Sequence, residues 1–232
     1  MDGVLPARAI SRGLPLADLR HHDDADEQMW TFKMLALTGL GVLAGLAAIA
    51  VGIWIYVMST IEQPKYASVT RDGAIEIRDY PALVVAEVTR RGDRQAAVRA
   101  GFSPLAGYIF AKSRDGDTVS MTAPVIQTPA QAAEQSWLIR FVMPSKYTLE
   151  TLPKAAGEDV RLLELPAARR AAIRFSGVAT DALIAENEAV LRAWLAKAGI
   201  AIQGAATYAY YNDPWTPGPL RRNEVLFEVA GR

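Results

Sequence analysis

The sequence predicts an α+β domain behind one membrane-spanning helix: a mainly antiparallel sheet with two helices segregated from it. Three observations predict it. From Met34 to Ile61 no residue is charged. Beyond that run, segments alternating apolar and polar side chains are separated by turn residues, the period-two signature of strands. A strand–strand–helix pattern at Ile75–Phe110 then returns 85 residues later without a gap. Val160–Leu163 takes the place of Ile75–Arg78, Pro166-Ala167 of Pro81-Ala82, Ala171 of Ala86 and Gly177 of Gly92. Few positions are identical, so what repeats is punctuation and periodicity, which set backbone shape.

Residues 1–33 carry Pro, Gly, Asp and Ala without a sustained apolar period and are expected to form a mobile tail. Both histidines, His21 and His22, lie there; adjacent side chains on an unordered backbone do not converge on a metal. Met29 or Met34 is an alternative start. The uncharged run is 28 residues long, where about 20 cross a bilayer core. Trp30, Trp54 and Tyr56 flank its ends as interfacial aromatics do. A cleaved signal peptide would have an apolar core of only about 7–15 residues, so residues 34–61 are expected to be a retained anchor. Gly41 and Gly45 form a GxxxG that lets two such helices approach and self-associate. Flanking Lys and Arg give no clear orientation; the C-terminal domain is expected outside the cytoplasm.

Residues 62–232 make one domain. Tyr66–Thr70 is a strand and Asp72-Gly73 a turn. In the next strand Ala74, Glu76 and Arg78 alternate with Ile75 and Ile77, one face wet and one dry. Leu83–Thr89 is apolar and β-rich. Asp93 is a plausible N-cap for a helix whose stripe is Val98, Phe102, Leu105 and Ile109. Ser103-Pro104 inside it should kink or restart the helix, because proline removes one hydrogen bond. Arg114–Asp117 is a turn, Thr118–Gln127 a strand, Ala130–Ser136 a loop and Trp137–Met143 a strand. Pro144–Pro153 leads irregularly to the second copy. There Val160–Leu165 and Ala171–Phe175 are strands, followed by a helix striped with Leu183, Val190, Leu191, Trp194 and Leu195. Ala205–Tyr211 and Val225–Val229 close the chain around a proline-rich loop holding Trp215.

With the four basic and six acidic residues before the anchor set aside, this domain has 21 Lys and Arg against 19 Asp and Glu. That balance argues against a nucleic-acid partner. The chain has no cysteine, and this domain has no histidine. Disulfides, thiolate chemistry, Ser-His-Asp systems and histidine metal ligation are therefore excluded from it. No carboxylates stand in a recognisable catalytic spacing, so a non-enzymatic role is expected. Apolar and aromatic side chains with scattered arginines suit either an ordinary core or a surface for a flat apolar ligand with acidic groups.

Several stretches in order resemble the SOUL haem-binding protein family. They are Ile75-Glu76-Ile77-Arg78-Asp79-Tyr80, Gly101-Phe102 with Leu105 and Tyr108-Ile109, Met121-Thr122-Ala123-Pro124-Val125, Phe141-Val142-Met143-Pro144, Leu152-Pro153, Phe175-Ser176-Gly177 and Arg221-Arg222-Asn223-Glu224-Val225. The resemblance implies a distorted eight-stranded antiparallel β-barrel with two flanking helices, built from two similar halves. It implies reversible binding of haem or another porphyrin as ligand, without a shared catalytic role. By position, Arg99 matches a basic contact on the first helix, and Phe102 and Leu105 match apolar ones. Trp215 and Arg221 are the candidate contacts of the loop before the last strand. A lysine of that loop has no counterpart; Pro217 stands near it. The histidine ligand of some members is missing, which leaves the iron unligated by the protein or held weakly by Tyr or Met. The alternatives are a general small-ligand or scaffold module of the effector-sensing type, and an enzyme acting on tetrapyrroles.

Overall fold

A computed structural model describes residues 17–130 and 135–230. The chain divides into two units between Ser59 and Thr60. The first holds all but the last residue of α1, Ala17–Thr60. Its stretch Met29–Trp54 is long and apolar enough to cross a membrane. The expected tail is thus helical from Ala17 on, and its first 16 residues lie outside the described ones. Its composition accounts for the extension. Ala, Leu, Gln, Glu and Met favour helix, and acidic residues near a helix N-terminus oppose the positive end of its dipole.

The described residues of the second unit form nine strands in one antiparallel sheet. In chain order they are β1 (Ala67–Asp72), β2 (Ile75–Tyr80), β3 (Leu83–Arg91), β4 (Val125–Pro129), β5 (Ser136–Val142), β6 (Arg161–Leu165), β7 (Ala168–Phe175), β8 (Ile202–Tyr210) and β9 (Asn223–Val229). Helix α2 (Arg94–Ile109) follows β3, and α3 (Asp181–Lys197) follows β7. The spatial order is β1-β2-β7-β9-β8-β4-β5-β3-β6. This corrects the eight-stranded barrel: no ladder joins the end strands β1 and β6, so the sheet stays open. β1 is exposed along its whole length, with Ser, Thr, Arg and Asp on an edge where charge discourages further pairing. The order strand–strand–helix–strand–strand occurs at β2–β5 and again at β6–β9, and Gly92 and Gly177 both have φ of +111°.

Each helix covers its own apolar cluster. Under α3, Ile184, Leu191 and Leu195 pack on Ile77, Ile173 and Phe227. Under α2, Leu105, Tyr108 and Ile109 pack on Val88, Ile139 and Phe141. α2 lies close because residue 101 has no side chain: a Cβ there would fall 2.7 Å from Ile139 Cγ1.

Pro104 does not restart α2, which is one element from Arg94 to Ile109. The carbonyl deprived of its helical donor is that of Ala100, four residues back. Arg90 Nε donates to it at 3.2 Å, while the same guanidinium holds Asp159 at 2.7 and 2.6 Å. A side chain from β3 thus replaces the missing bond. The long strand expected at Thr118–Gln127 is shorter, β4 starting only at Val125; Thr122 makes one isolated parallel bridge, to Glu62.

Gly101→Ala should destabilise the domain by about 1–3 kcal/mol through overpacking against Ile139. Denaturant melts of the full chain in a neutral detergent check this.

Candidate functional site

Two surfaces have the chemistry to hold a ligand. The first is the outer side of α2. Asp93 caps the helix by accepting from Ala96 N at 2.7 Å. Arg94, buried, fixes the helix start to the start of α3: it donates to Asp181, Tyr210 Oη and the Ala179 carbonyl, each at 2.7 Å. Its own carbonyl accepts from Gln127 Nε2 at 2.8 Å. With the inner side so fixed, Arg99, Ala100, Phe102 and Ser103 face outward. Phe102 is 42 % exposed and its ring meets Phe141 edge-on at 5.3 Å, which braces the ring in place.

The loop before β9 is rigid by its own bonds. Asp213 accepts from the backbone of Trp215 and Thr216 at 2.7 and 2.9 Å. Arg221 donates to the carbonyls of Thr216 and Pro214. Gly177 N donates to Gly218 O at 3.0 Å, and Asn223 Nδ2 donates to Gly177 O at 2.9 Å. Trp215 projects from this frame at 92 % exposure.

The five sequence-predicted contacts therefore separate. Arg99, Phe102 and Trp215 are accessible. Leu105 is wholly buried and belongs to the core, as its place on the apolar stripe would give. Arg221 spends its guanidinium on its own loop. No hydrogen bond, ion pair or ring contact joins Arg99 or Phe102 to Trp215 or Arg221 among the described residues.

The second surface is the sheet face opposite the helices, and sequence reasoning missed it. Glu76 and Arg78, read as a wet face, are 4 % and 3 % exposed. Arg78 reaches across β7 to Glu224 of β9, bonding both carboxylate oxygens at 2.7 and 3.1 Å. Ala172, a small residue, is the inward position of β7 between them. Arg78 also donates to Glu76 at 2.7 Å and Tyr80 Oη at 3.2 Å, and lies 4.4 Å over the Tyr66 ring. Glu224 further accepts from Tyr211 Oη at 2.9 Å and from Arg222 at 2.8 and 3.1 Å. Burial would raise the Glu76 carboxyl, but bonds from Ser68, Arg78 and Arg71 outweigh it and hold the group at about 2. Glu224 is lowered likewise: burial opposes, and Arg78 and Arg222 prevail. Burial and the Glu224 charge push the Tyr211 phenol up, so it remains a donor. The signal for this network was present in two resembling motifs, at residues 75–80 and 221–225, whose charges are complementary.

Two concavities adjoin the network. A cleft of about 220 Å3 lies between residues 62–65, 81–84 and 142–147. A smaller cavity of about 20 Å3 lies behind it against Tyr66, Tyr80 and Tyr211. Both are below the roughly 300–1,000 Å3 usual for pockets enclosing a drug-sized ligand. No group of three His, Cys, Asp or Glu suited to a metal occurs among the described residues. Tested against haem, the accessible residues suit the ring, through Phe102 and Trp215, and a propionate, through Arg99. They supply no histidine to the iron.

The sequence matches the model of the SOUL heme-binding protein family over residues 61–228, and the chain belongs to that family. No curated protein matches it. Among solved structures, the C-terminal domain of EcmrR is similar at 13% identity and a TM-score of 0.51, covering 72% of this chain and 99% of that one. EcmrR in its DNA complex is similar at 13% identity and a TM-score of 0.50, covering 94% and 74%. A hydrolase from Listeria innocua is similar at 14% identity and a TM-score of 0.49, covering 70% and 94%. At these identities the likeness to EcmrR is one of fold.

Arg78→Met, which leaves two buried carboxylates short of a cation, should cost about 3–5 kcal/mol, and adding Glu224→Leu should recover part of it. Folding holds Glu76 at about 2 and lowers Glu224 in the same direction, so the stability they contribute is present above about pH 4.5 and is lost as the pH falls through their folded values. Melts between pH 6 and 2 should show wild type losing stability faster than the double variant.

Proposed function

We propose that this SOUL-family chain is a membrane-anchored carrier or sensor that binds haem or a related tetrapyrrole reversibly, without catalysis. The match along nearly the whole second unit carries the reading. The ring lies on the open side of α2 against Phe102, Arg99 meets a propionate, and Trp215 supplies a second flat contact. Leu105 supports this surface from within. The iron receives no histidine from the domain, so affinity rests on ring burial and on the charge of the acidic groups. α1 serves as the anchor, with the domain on the non-cytoplasmic side, and Gly41 and Gly45 allow two anchors to pair. The twice-occurring strand–strand–helix–strand–strand order supports an origin by duplication, in which only the first copy took on the ligand.

Titrate the full chain in neutral detergent with hemin and with metal-free protoporphyrin. Both should saturate, with affinities within about tenfold, or 1.4 kcal/mol. Phe102→Ala should weaken both by about 5–10-fold, in line with the worth of one aromatic contact. Saturable binding of hemin alone would mean an iron ligand from the protein and contradict the reading.

A further inference from the structure

Arg71, Arg78, Arg140, Arg169 and Arg222 of the sheet region each reach a carboxylate oxygen within 3.0 Å. Arg170 does not. It stands in β7 directly across from Arg78 on one side and Glu228 on the other, and it is only partly exposed. Among the described residues, none accepts a hydrogen bond from it or forms an ion pair with it. Its guanidinium instead turns towards Tyr80, 5.7 Å from the ring centroid. Arginine cannot shed its proton, and among the described residues no fully covered side-chain nitrogen lacks a hydrogen bond, so the unpaired Arg170 guanidinium keeps an open side that an anion can reach.

The groups around it supply no hydrogen-bonded counter-charge; Glu228 acts only through space. Arg78 is already committed to Glu76 and Glu224, and Tyr80 accepts from Arg78. Arg140 of β5 is a second cation, bonded to Glu87. Glu228 is exposed. Burial lowers the pKa of Arg170, Glu228 and Tyr80 pull it back, and Arg140 lowers it again. Against Arg170 lies the cavity of about 20 Å3, walled by Tyr66, Tyr80, Tyr211, Leu83 and Ile126. That is room for about one water-sized atom. Gln63, Pro64 and Leu83 line both this cavity and the 220 Å3 cleft.

We infer that the cavity at Arg170 is a binding site for a small singly charged anion, separate from the tetrapyrrole surface. The anion completes the charge balance of the inner face and holds the first residues after the anchor against the sheet. Those residues are otherwise held by Ser145 N and Ala123 N donating to Glu62, and by Arg222 donating to Gln63. Two sources share this chemistry. One is a halide filling the cavity alone. The other is the carboxylate of an apolar acid whose chain lies in the cleft beside Leu83, Val84, Val142 and Met143.

The test is the melting temperature of the full chain in neutral detergent, without tetrapyrrole, against chloride, acetate and octanoate. Ionic strength is held constant with a bulky sulfonate. Wild type should gain about 3–5 °C per tenfold rise in the bound anion above its Kd. Chloride acting best identifies the halide source; octanoate acting at lower concentration than acetate identifies the apolar acid. Arg170→Met should abolish the dependence. Ala209→Val, which adds two methyl groups to the cavity wall and keeps every charge, should abolish it too, and it serves if Arg170→Met fails to fold. The inference is overturned if wild type responds to none of the three anions, or if either variant keeps the wild-type slope.

Discussion

The ion pair between Arg78 and Glu224 is the constraint on which the sheet depends. These residues lie 146 positions apart, and the pair joins the first hairpin of the domain to its last strand across β7. Two buried charges are tolerable only when each is matched and hydrogen-bonded. Here Glu76, Arg222, Tyr80 and Tyr211 complete that matching. The consequence is geometric: β2, β7 and β9 must hold one register, or a buried charge loses its partner. With the inner face so fixed, α2 and α3 can each sit on a purely apolar cluster on the other face.

This division of labour leaves the outward side chains of α2 and the loop before β9 as open surfaces. The helix-side cores are closed; Leu105 and Tyr108 are fully covered. α2 is tied down at its start by Arg94 and along its length by Gly101 and Arg90. A helix held this firmly can present Arg99 and Phe102 outward without losing its place. The loop carrying Trp215 is similarly rigid, because Asp213 and Arg221 satisfy its backbone locally. Rigid aromatic contacts on an open surface suit reversible binding of a flat ring, since little side-chain entropy is lost on contact.

Much of this architecture was legible in the sequence, and the failures have physical causes. Both helices are marked by period and the nine strand segments by alternation or β-rich composition, with Thr118–Gln127 too long, and the 85-residue recurrence locates the two glycine breaks. Alternation at Ala74–Arg78 was read correctly as two faces. It cannot distinguish water from a buried partner, so Glu76 and Arg78 were assigned to solvent. Their partner lies at the far end of the chain, where no local pattern connects them. Pro104 is expected to kink or restart the helix because only the lost bond is local; the replacement donor, Arg90, comes from a strand. The apolar stripe of Val98, Phe102, Leu105 and Ile109 would point all four inward; Leu105 follows it, but Phe102 turns outward at 42 % exposure, so the stripe alone does not separate core from surface. The open sheet order is a property of pairing between distant strands, which the expected barrel did not capture. The cavity at Arg170 had no sequence signal, for Arg170 differs from Arg169 only in which face of β7 it occupies.

The central claim, a tetrapyrrole on the outer side of α2 and not in the inner clefts, is tested most directly by hydrogen exchange. The full chain in neutral detergent is compared with and without saturating metal-free protoporphyrin, and exchange is followed by peptide. The account predicts slowed exchange in residues 94–110 and 212–222, with residues 62–66, 81–85 and 142–147 unchanged. Protection confined to the latter three segments would contradict it, and would move the ligand to the cleft between residues 62–65, 81–84 and 142–147.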